Sequence, residues 1–136
     1  MAALADFRSS YTFNSTINGV EAADWLLLIG CNPRHEAPII NARIRKAFLH
    51  YSMDIGTLGQ ECALNYDVTH LGSTLEALTK ASPFMDKLKK AEKPMIIVGS
   101  GVVEHADAAS LLSTIAKVPF CVLCNLVCPE TPQFDP

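Results

Sequence analysis

The chain has 136 residues, enough for one domain; hydrophobic residues make up 49% of it and charged residues 18%, which excludes a disordered chain. The net charge of −3 and the scattered Lys and Arg residues give no basic face for nucleic acid. No apolar run approaches the roughly 20 residues that a membrane-spanning helix needs. The five cysteines lack the spacing of a disulfide framework, so we expect a reducing compartment.

Four short apolar runs, bounded by Gly, Pro or polar residues, predict β-strands. Three of the runs barely alternate between apolar and polar residues, which is typical of strands buried on both faces of a parallel sheet. The predicted strands are Trp25 to Gly30, Met53 to Leu58, Pro94 to Gly99 and Phe120 to Val127.

Helical periodicity fills the gaps between these runs. A short helix is expected from Thr16 to Ala23, and a longer one begins at about Pro38. Two short helices are expected between Ser73 and Ala91, with a break near Ser82-Pro83, and a last helix from Ala108 to Ile115. The alternation of helices and strands predicts an α/β fold: a three-layer domain with a mostly parallel sheet of about four strands and right-handed crossovers.

The loop after the first predicted strand is a candidate ligand site. Ligands of open parallel sheets bind beyond the carboxyl ends of the strands, where this loop lies. Gly30 lets the backbone turn, Asn32 can hydrogen-bond its own backbone, Pro33 stiffens the exit, and Arg34 could contact a phosphate or carboxylate. The spacing matches neither the dinucleotide fingerprint nor a P-loop, so a plain scaffold turn is the alternative.

A second turn, Gly99-Ser100-Gly101, follows the third predicted strand and precedes a helix. It resembles half of a dinucleotide motif, but Val103 and Glu104 stand where a third glycine would be needed. Tight turning from a strand into a helix explains both glycines without a ligand.

The third candidate site consists of Cys121, Cys124 and Cys128, spaced like the last three ligands of a bacterial ferredoxin. Residues three apart in a strand point to opposite faces, which would separate Cys121 from Cys124. Core cysteines are therefore the favoured interpretation, and we predict no metal. No His, Cys or carboxylate stands in a recognisable catalytic signature, so no catalytic residue is predicted either.

The region around the first loop also carries a resemblance to a known family. Its ordered matches, continuing towards Lys117, are Arg8-Ser9, Tyr11, Asn14, Thr16-Ile17, Gly19-Val20-Glu21, Ala23-Asp24, Leu27 to Gly30, Asn32-Pro33-Arg34, Glu36-Ala37-Pro38, Asn41 to Lys46, Tyr66-Asp67, His70-Leu71-Gly72, Lys93-Pro94-Met95 and Gly99-Ser100. This set resembles the 75 kDa iron-sulfur subunit family of respiratory NADH:ubiquinone oxidoreductase (complex I).

The resemblance implies a Rossmann-like piece of the C-terminal half of that subunit, which looks like a molybdopterin oxidoreductase domain. Residues 1–118 would form part of this domain, and residues 119–136 would hold the last strand and a divergent, Pro-rich tail. In molybdenum enzymes of the superfamily the corresponding loop lies against the guanine dinucleotide of the cofactor. The complex I domain is thought to have lost that cofactor, which implies a vestigial loop at Gly30, Asn32, Pro33 and Arg34. Arg34 and Glu36 would then join a buried polar network.

A departure from the family pattern is Cys31, where a small residue such as Thr is expected. The cluster-binding cysteines of the family belong to its N-terminal half, so no cofactor is expected on this chain. Iron-sulfur clusters and FMN would lie elsewhere in the assembly.

We therefore expect a structural, non-catalytic part of the large peripheral-arm subunit. Its partners would be other chains of complex I, above all the remaining pieces of the same subunit. Its place would be the matrix side of the mitochondrial inner membrane, or the cytoplasmic face in a bacterium. We expect a naturally split subunit rather than a solved fragment, and a chain that is unstable alone because its sheet edges need partners.

Two alternatives stay open. One is an independent nucleotide- or molybdopterin-binding module that uses the Gly30 loop. The other is an iron-sulfur or zinc carrier that uses the three C-terminal cysteines.

Overall fold

The apolar runs of the sequence form one parallel sheet. The computed structural model describes residues 15–74, 86–87, 90–104, 108–110 and 122–126. The strands are β1 (Trp25–Ile29), β2 (Asp54–Leu58), β3 (Thr69–Gly72), β4 (Pro94–Gly99) and β5 (Val122–Leu126). They are all parallel and hydrogen-bond in the order β3-β2-β1-β4-β5.

The predicted α/β class and the four predicted strands are confirmed, and the sheet has one further strand, β3. Thr69 and His70 in β3 are exposed, and β3 pairs with β2 through a register shift at Thr57/Leu58. Because β3 lies at the edge of the described sheet, it needs no apolar run, and its sequence gives no strand pattern.

Four helices are complete in the described part of the chain. They are the 3₁₀ helix η1 (Ile17–Ala22), α1 (Pro33–Glu36), α2 (Pro38–Tyr51) and α3 (Ser100–Val103). The helix expected from Thr16 to Ala23 is thus present as η1, and its first turn is capped by the Thr16 hydroxyl, which accepts from Gly19 N at 3.1 Å.

Two predicted helical segments lie mostly outside the described residues. Of the helix expected from Ala108 to Ile115, only residues 108–110 are described, and they are helical. Of the segment from Ser73 to Ala91, residues 86–87 are helical, whereas the expected break at Ser82-Pro83 lies outside the described residues.

Helix α2 covers one face of the sheet. Pro38 occupies its first turn, as predicted, and Ser52 in a left-handed conformation (φ 54°) ends it. The inward side chains of α2 are Ile40, Ile44 and Ala47. They belong to one core cluster with Val20, Ala23, Leu26, Leu28, Met53, Ile55, Tyr66, Met95 and Ile97.

The other face of the sheet is also covered. Side chains alternate along a strand, so Leu27 and Ile96 point away from the cluster that contains Leu26 and Leu28. Both Leu27 and Ile96 are 0% exposed. Burial on both faces explains the near-continuous apolar runs and agrees with the predicted three layers.

Polar contacts fasten the elements at the amino end of the sheet. The Asp24 carboxylate, just before β1, accepts from Glu92 N at 2.8 Å and from Lys93 N at 3.1 Å, just before β4. Glu21 in η1 pairs with Lys46 at 2.7 Å and with Arg43, both in α2. Hydrogen bonds from these two cations lower the pKa of the Glu21 carboxyl.

The burial of α2 allows a direct test of the fold. Ile44 is 0% exposed and Ile39 on the same helix is 70% exposed. We expect Ile44→Ala to lower the free energy of unfolding by about 2–5 kcal/mol and Ile39→Ala by less than about 0.5 kcal/mol. Urea denaturation measures both; if the chain aggregates alone, the soluble level in cells replaces it. Equal effects would contradict this placement of α2.

Candidate functional site

The strand order creates a switch point between β1 and β4. The chain leaves β1 towards β2 on one side and later returns to β4 on the other side. In open parallel sheets such a point leaves a crevice at the carboxyl ends of the two strands, where ligands bind. The structure brings the two glycine turns that the sequence singled out, after Ile29 and after Val98, to this one place, since Ile29 and Val98 are register partners.

Gly30 is held by close neighbours. Its φ is +58°, in the left-handed region that favours glycine. A Cβ atom at Gly30 would lie 2.6 Å from Cγ2 of Val102 in α3, too close for any other residue. The Gly30 amide donates to the Leu58 carbonyl of β2 at 2.9 Å. The turn after β1 is therefore fixed on one side to β2 and on the other to α3.

The turn after β4 packs directly on the turn after β1. A Cβ atom at Gly99 would collide with Cβ of Cys31 and with the carbonyl oxygen of Gly30. A Cβ atom at Gly101 would lie 3.1 Å from the same carbonyl oxygen. The glycines of the second turn thus allow contact between two stretches of the chain itself, and the Cys31 side chain lies over Gly99.

The polar groups of the first turn are hydrogen-bonded within helix α1 and its N-terminal cap. The Asn32 side chain accepts from Arg34 N at 3.2 Å and caps the helix, while Pro33 occupies its first position. The Glu36 carboxylate turns back and accepts from Asn32 N at 2.5 Å. This reciprocal pair satisfies the helix start and places a carboxylate, rather than an open backbone N–H, at the turn.

The expected polar network includes Glu36, which is partly buried, but the prediction that Arg34 is buried is wrong. Arg34 is exposed, and its Nη1 donates to the carbonyl of Ala63 at 3.2 Å. The reason is geometric, because residues two apart on a helix do not share a face and Glu36 already occupies the inner one.

The region from Cys62 to Tyr66 contributes to the site and was missed as a functional region by sequence reasoning. Burial raises the pKa of the Tyr66 hydroxyl, with the Cys31 and Cys62 thiols nearby, and this hydroxyl donates to Oδ1 of Asn41 at 2.7 Å. In the sequence Tyr66 belongs only to the family resemblance, since one aromatic residue in a polar stretch gives no periodic signal.

The surroundings of Cys31 favour its protonated, unreactive thiol form. Burial is the main cause that raises its pKa, and the nearby Glu36 carboxylate and Cys62 thiol raise it further. Because the thiolate is the reactive form, a thiol with a raised pKa is a poor nucleophile and a poor metal ligand. Cys31 therefore acts as a small packing side chain against the core.

The C-terminal cysteines are only partly within the described residues. Residue 124 lies in β5 opposite Ile97, whereas Cys121 and Cys128 lie outside the described residues. Among the described residues, no three His, Cys, Asp or Glu side chains group closely enough to hold a metal ion. In that same part of the chain, no helix combines the length and the apolar character needed to cross a membrane.

Comparison with known families adds to this geometry. Residues 1–131 match the family model described as molybdopterin oxidoreductase. The chain belongs to this family. The match agrees with the Rossmann-like strand order and with the position of the Gly30 turn at the switch point.

Curated relatives give a second comparison. The NADH-ubiquinone oxidoreductase 78 kDa subunit, mitochondrial, of Neurospora crassa is 50% identical over 114 residues, which are 82% of this chain and 15% of that protein. NADH dehydrogenase (ubiquinone) iron-sulfur protein 1, mitochondrial, of Solanum tuberosum is 41% identical over 120 residues, 83% of this chain and 16% of that protein. The NADH-ubiquinone oxidoreductase 75 kDa subunit of Reclinomonas americana is 37% identical over 115 residues, 82% of this chain and 17% of that protein.

These matches confirm the resemblance that the sequence predicts. The chain spans about one sixth of the length of the curated relatives it matches.

A molybdopterin guanine dinucleotide, which the resemblance described above implies for molybdenum enzymes of the superfamily, does not fit the described residues at the switch point. A pyrophosphate needs open backbone N–H groups and room between the two turns. Here Gly30 and Cys31 lie directly on Gly99, and Asn32 N is bound by the Glu36 carboxylate, whose negative charge opposes a phosphate. Helix α1 also has only four residues. The described residues pack the two turns together and leave no cradle for an anion between them.

The contact between the turns predicts the cost of one added methyl group. Gly99 has φ −88°, which any residue adopts, so the cost of Gly99→Ala is steric. We expect it to lower the free energy of unfolding by about 1–3 kcal/mol. Gly101→Ala is the matched control, because a Cβ atom there would lie 3.1 Å from the Gly30 carbonyl oxygen, a looser contact than at Gly99, and about 1 kcal/mol of helix propensity in α3 offsets its cost. Urea midpoints compare the two, and a fully stable Gly99→Ala variant would contradict the close contact.

The raised pKa of Cys31 predicts an alkaline loss of stability. The unfolded thiol ionises near about pH 8.5, while the folded thiol stays protonated to higher pH. Stability from this group is therefore complete below about pH 8.5 and falls as the pH rises towards the folded pKa, by about 1.4 kcal/mol per pH unit. We expect the Cys31→Ala variant to have a flatter slope of unfolding free energy between about pH 8.5 and 10.

The control for this experiment is Cys62→Ala. Burial also raises the pKa of the Cys62 thiol, but this side chain lies in a loop and donates to the carbonyl of Gln60. Its removal should change the slope less than removal of Cys31. Identical slopes in the wild-type chain and in Cys31→Ala would disprove the assigned role of Cys31 burial.

Proposed function

We propose that this chain is a structural, non-catalytic part of the large peripheral-arm subunit of respiratory complex I. It supports electron transfer from NADH to ubiquinone by holding its portion of the subunit in shape. The observation that carries the proposal is the filled switch point, in which Cys31 and Gly30 lie on Gly99. The relatives support the assembly to which it belongs, since their names are those of NADH-ubiquinone oxidoreductase subunits.

A filled crevice is the arrangement that a scaffold requires. Described contacts at the switch point join different elements of the chain: Gly30 N links the turn after β1 to β2, and Val102 of α3 packs against the same turn. The same contacts would have to open to admit a cofactor, at the cost of packing that the core needs. Stability, not ligand binding, is the property that this geometry favours.

The proposal places cofactors and partners elsewhere. Iron-sulfur clusters and FMN lie on other parts of the assembly, and this chain holds none of them. Its partners are other chains of complex I, including the rest of the large subunit, and its location is the matrix side of the mitochondrial inner membrane. The names of the relatives from Neurospora crassa and Solanum tuberosum include the word mitochondrial, which supports the mitochondrial part of this location.

The test uses the assembly isolated from the source organism through a tag on this chain. We expect NADH:ubiquinone oxidoreductase activity to purify with the chain, and molybdenum and guanine nucleotide to be absent in stoichiometric amounts. Elemental analysis measures the molybdenum, and extraction of the purified assembly measures the bound nucleotide. Stoichiometric molybdopterin or nucleotide that is lost in an Asn32→Ala variant would instead establish a binding module at the Gly30 loop.

Variants separate a scaffold from a catalytic part in the same preparation. Asn32→Ala removes the cap of α1 and should lower stability by about 0.5–2 kcal/mol, and therefore the amount of assembled complex. Activity per assembled complex should not change. Lys90→Ala, which alters an exposed side chain four residues before β4, is the control for the amount assembled. Lower activity per assembled complex in Asn32→Ala would contradict the scaffold role.

A further inference from the structure

Helix α2 has apolar side chains on its outer face as well as on its inner face. Ile40, Ile44 and Ala47 point into the core and are buried. On the outside, Ile39 is 70% exposed and Leu49 is 64% exposed. Tyr51, the last residue of the helix, is 63% exposed as well. Polar residues normally fill the outer face of a surface helix, and Ile39 and Leu49 depart from that pattern.

The outer residues form a regular seam. Ile39, Ala42, Lys46 and Leu49 follow the spacing i, i+3, i+7, i+10 and are all exposed. At about 100° per residue they fall within an arc of about 80° on the helix. This is the spacing of the a and d positions of a heptad, which two packed helices share. We call these four residues the outer seam.

Three of the four positions that flank the outer seam are basic, and the fourth is Pro38. In the heptad frame, Arg43 and His50 take the e position and Arg45 takes the g position. Helix α2 contains no Asp or Glu. Glu21 of η1 offsets part of the charge through its pairs with Arg43 and Lys46, but Arg45 is exposed at the other border. The e and g positions choose partners by opposite charge.

We propose that the outer seam of α2 docks onto a helix of a companion chain, with an apolar stripe and acidic residues along its borders. This inference rests on the proposed function, because it assigns a surface for the assembly to which the chain would belong. Ile39 and Leu49 act as the apolar anchors, and the stem of Lys46 lies between them with its ammonium group directed to the border. Arg45 pairs with an acidic residue of the companion helix.

A protein helix suits the outer seam better than a lipid surface does. Ile39 and Leu49 are ten residues apart, about 15 Å along the helix, and Ala42 and Lys46 lie between them. A membrane-bound helix needs one continuous apolar face with several large side chains. Two anchors separated by a small residue and a lysine fit the knobs and holes of a facing helix. The relatives are named as subunits of an oxidoreductase, so they have partner chains that could supply such a facing helix.

The experiment measures how much of the full chain is retained in the isolated assembly. Ile39→Glu and Leu49→Glu keep good helix formers while placing a negative charge on the outer seam. We expect each to lower retention about tenfold. Ile17→Glu is the matched control, since Ile17 is an exposed isoleucine (46%) that lies in η1 and not in α2, and should stay within about twofold of the wild-type chain.

The charge complementarity is tested at Arg45. Arg45→Glu should lower retention of the chain in the assembly and make that retention less sensitive to salt. Arg45→Lys keeps the positive charge and should be retained like the wild-type chain. Thermal unfolding of each variant checks that α2 remains folded. As a measurement independent of variant stability, a photo-reactive residue in place of Leu49 should form an adduct with a helix of a companion chain. An adduct with lipid, or none, overturns the proposal.

The remaining outcomes separate this proposal from the proposed function. If the wild-type chain is present in the oxidoreductase and both seam variants are retained equally, the docking surface is wrong and the scaffold role stands. If the wild-type chain is absent from the oxidoreductase, the proposed function is wrong, and the docking proposal that rests on it is wrong as well. If the wild-type chain binds vesicles of phosphatidylcholine and cardiolipin and the seam variants do not, the outer seam is a lipid-binding surface and the proposal is overturned.

Discussion

Contact between the turns after β1 and β4 is the constraint on which the rest of the structure depends. The parallel register aligns Ile29 with Val98, so both strands end at the same level and their turns meet. Gly99 has no space for a Cβ atom because Cys31 and the Gly30 carbonyl lie against it. Gly30 in turn has no space because Val102 lies against it. The two halves of the sheet therefore join at β1 and β4 without a steric clash only when glycine stands at both positions.

The same two glycines have two possible uses in this fold. In nucleotide-binding sheets, glycine at a switch point lets the backbone approach a phosphate. Here it lets one backbone approach another, and the Glu36 carboxylate takes the Asn32 amide that an anion would need. A glycine turn at a strand end is thus evidence of close approach, and the identity of the approaching group depends on the neighbouring residues. In this chain the neighbouring residues are Cys31, which packs against Gly99, and Glu36, which binds the Asn32 amide.

The strands and α2 could be predicted from the sequence because burial leaves a periodic signal. Strand β3 could not, because an edge strand with Thr69 and His70 exposed carries no such signal. The two glycine turns were each recognised, but their meeting depends on strand order, which alternation of helices and strands does not determine. The exposed position of Arg34 depends on the one-turn helix α1, too short for any periodicity. Pairwise contacts at the switch point were therefore beyond reach of the sequence.

The core of the domain also determines what α2 presents to its surroundings. Burial of Ile40, Ile44 and Ala47 fixes the rotation of the helix about its axis, and the pairs of Glu21 with Arg43 and Lys46 hold that rotation from the outside. Once the inner face is fixed, Ile39 and Leu49 can point only outward. A change in core packing that rotated α2 by one residue, about 100°, would bury one of these anchors and expose Ile40 instead. Packing of the core and recognition of a companion helix are therefore properties of the same fourteen-residue segment.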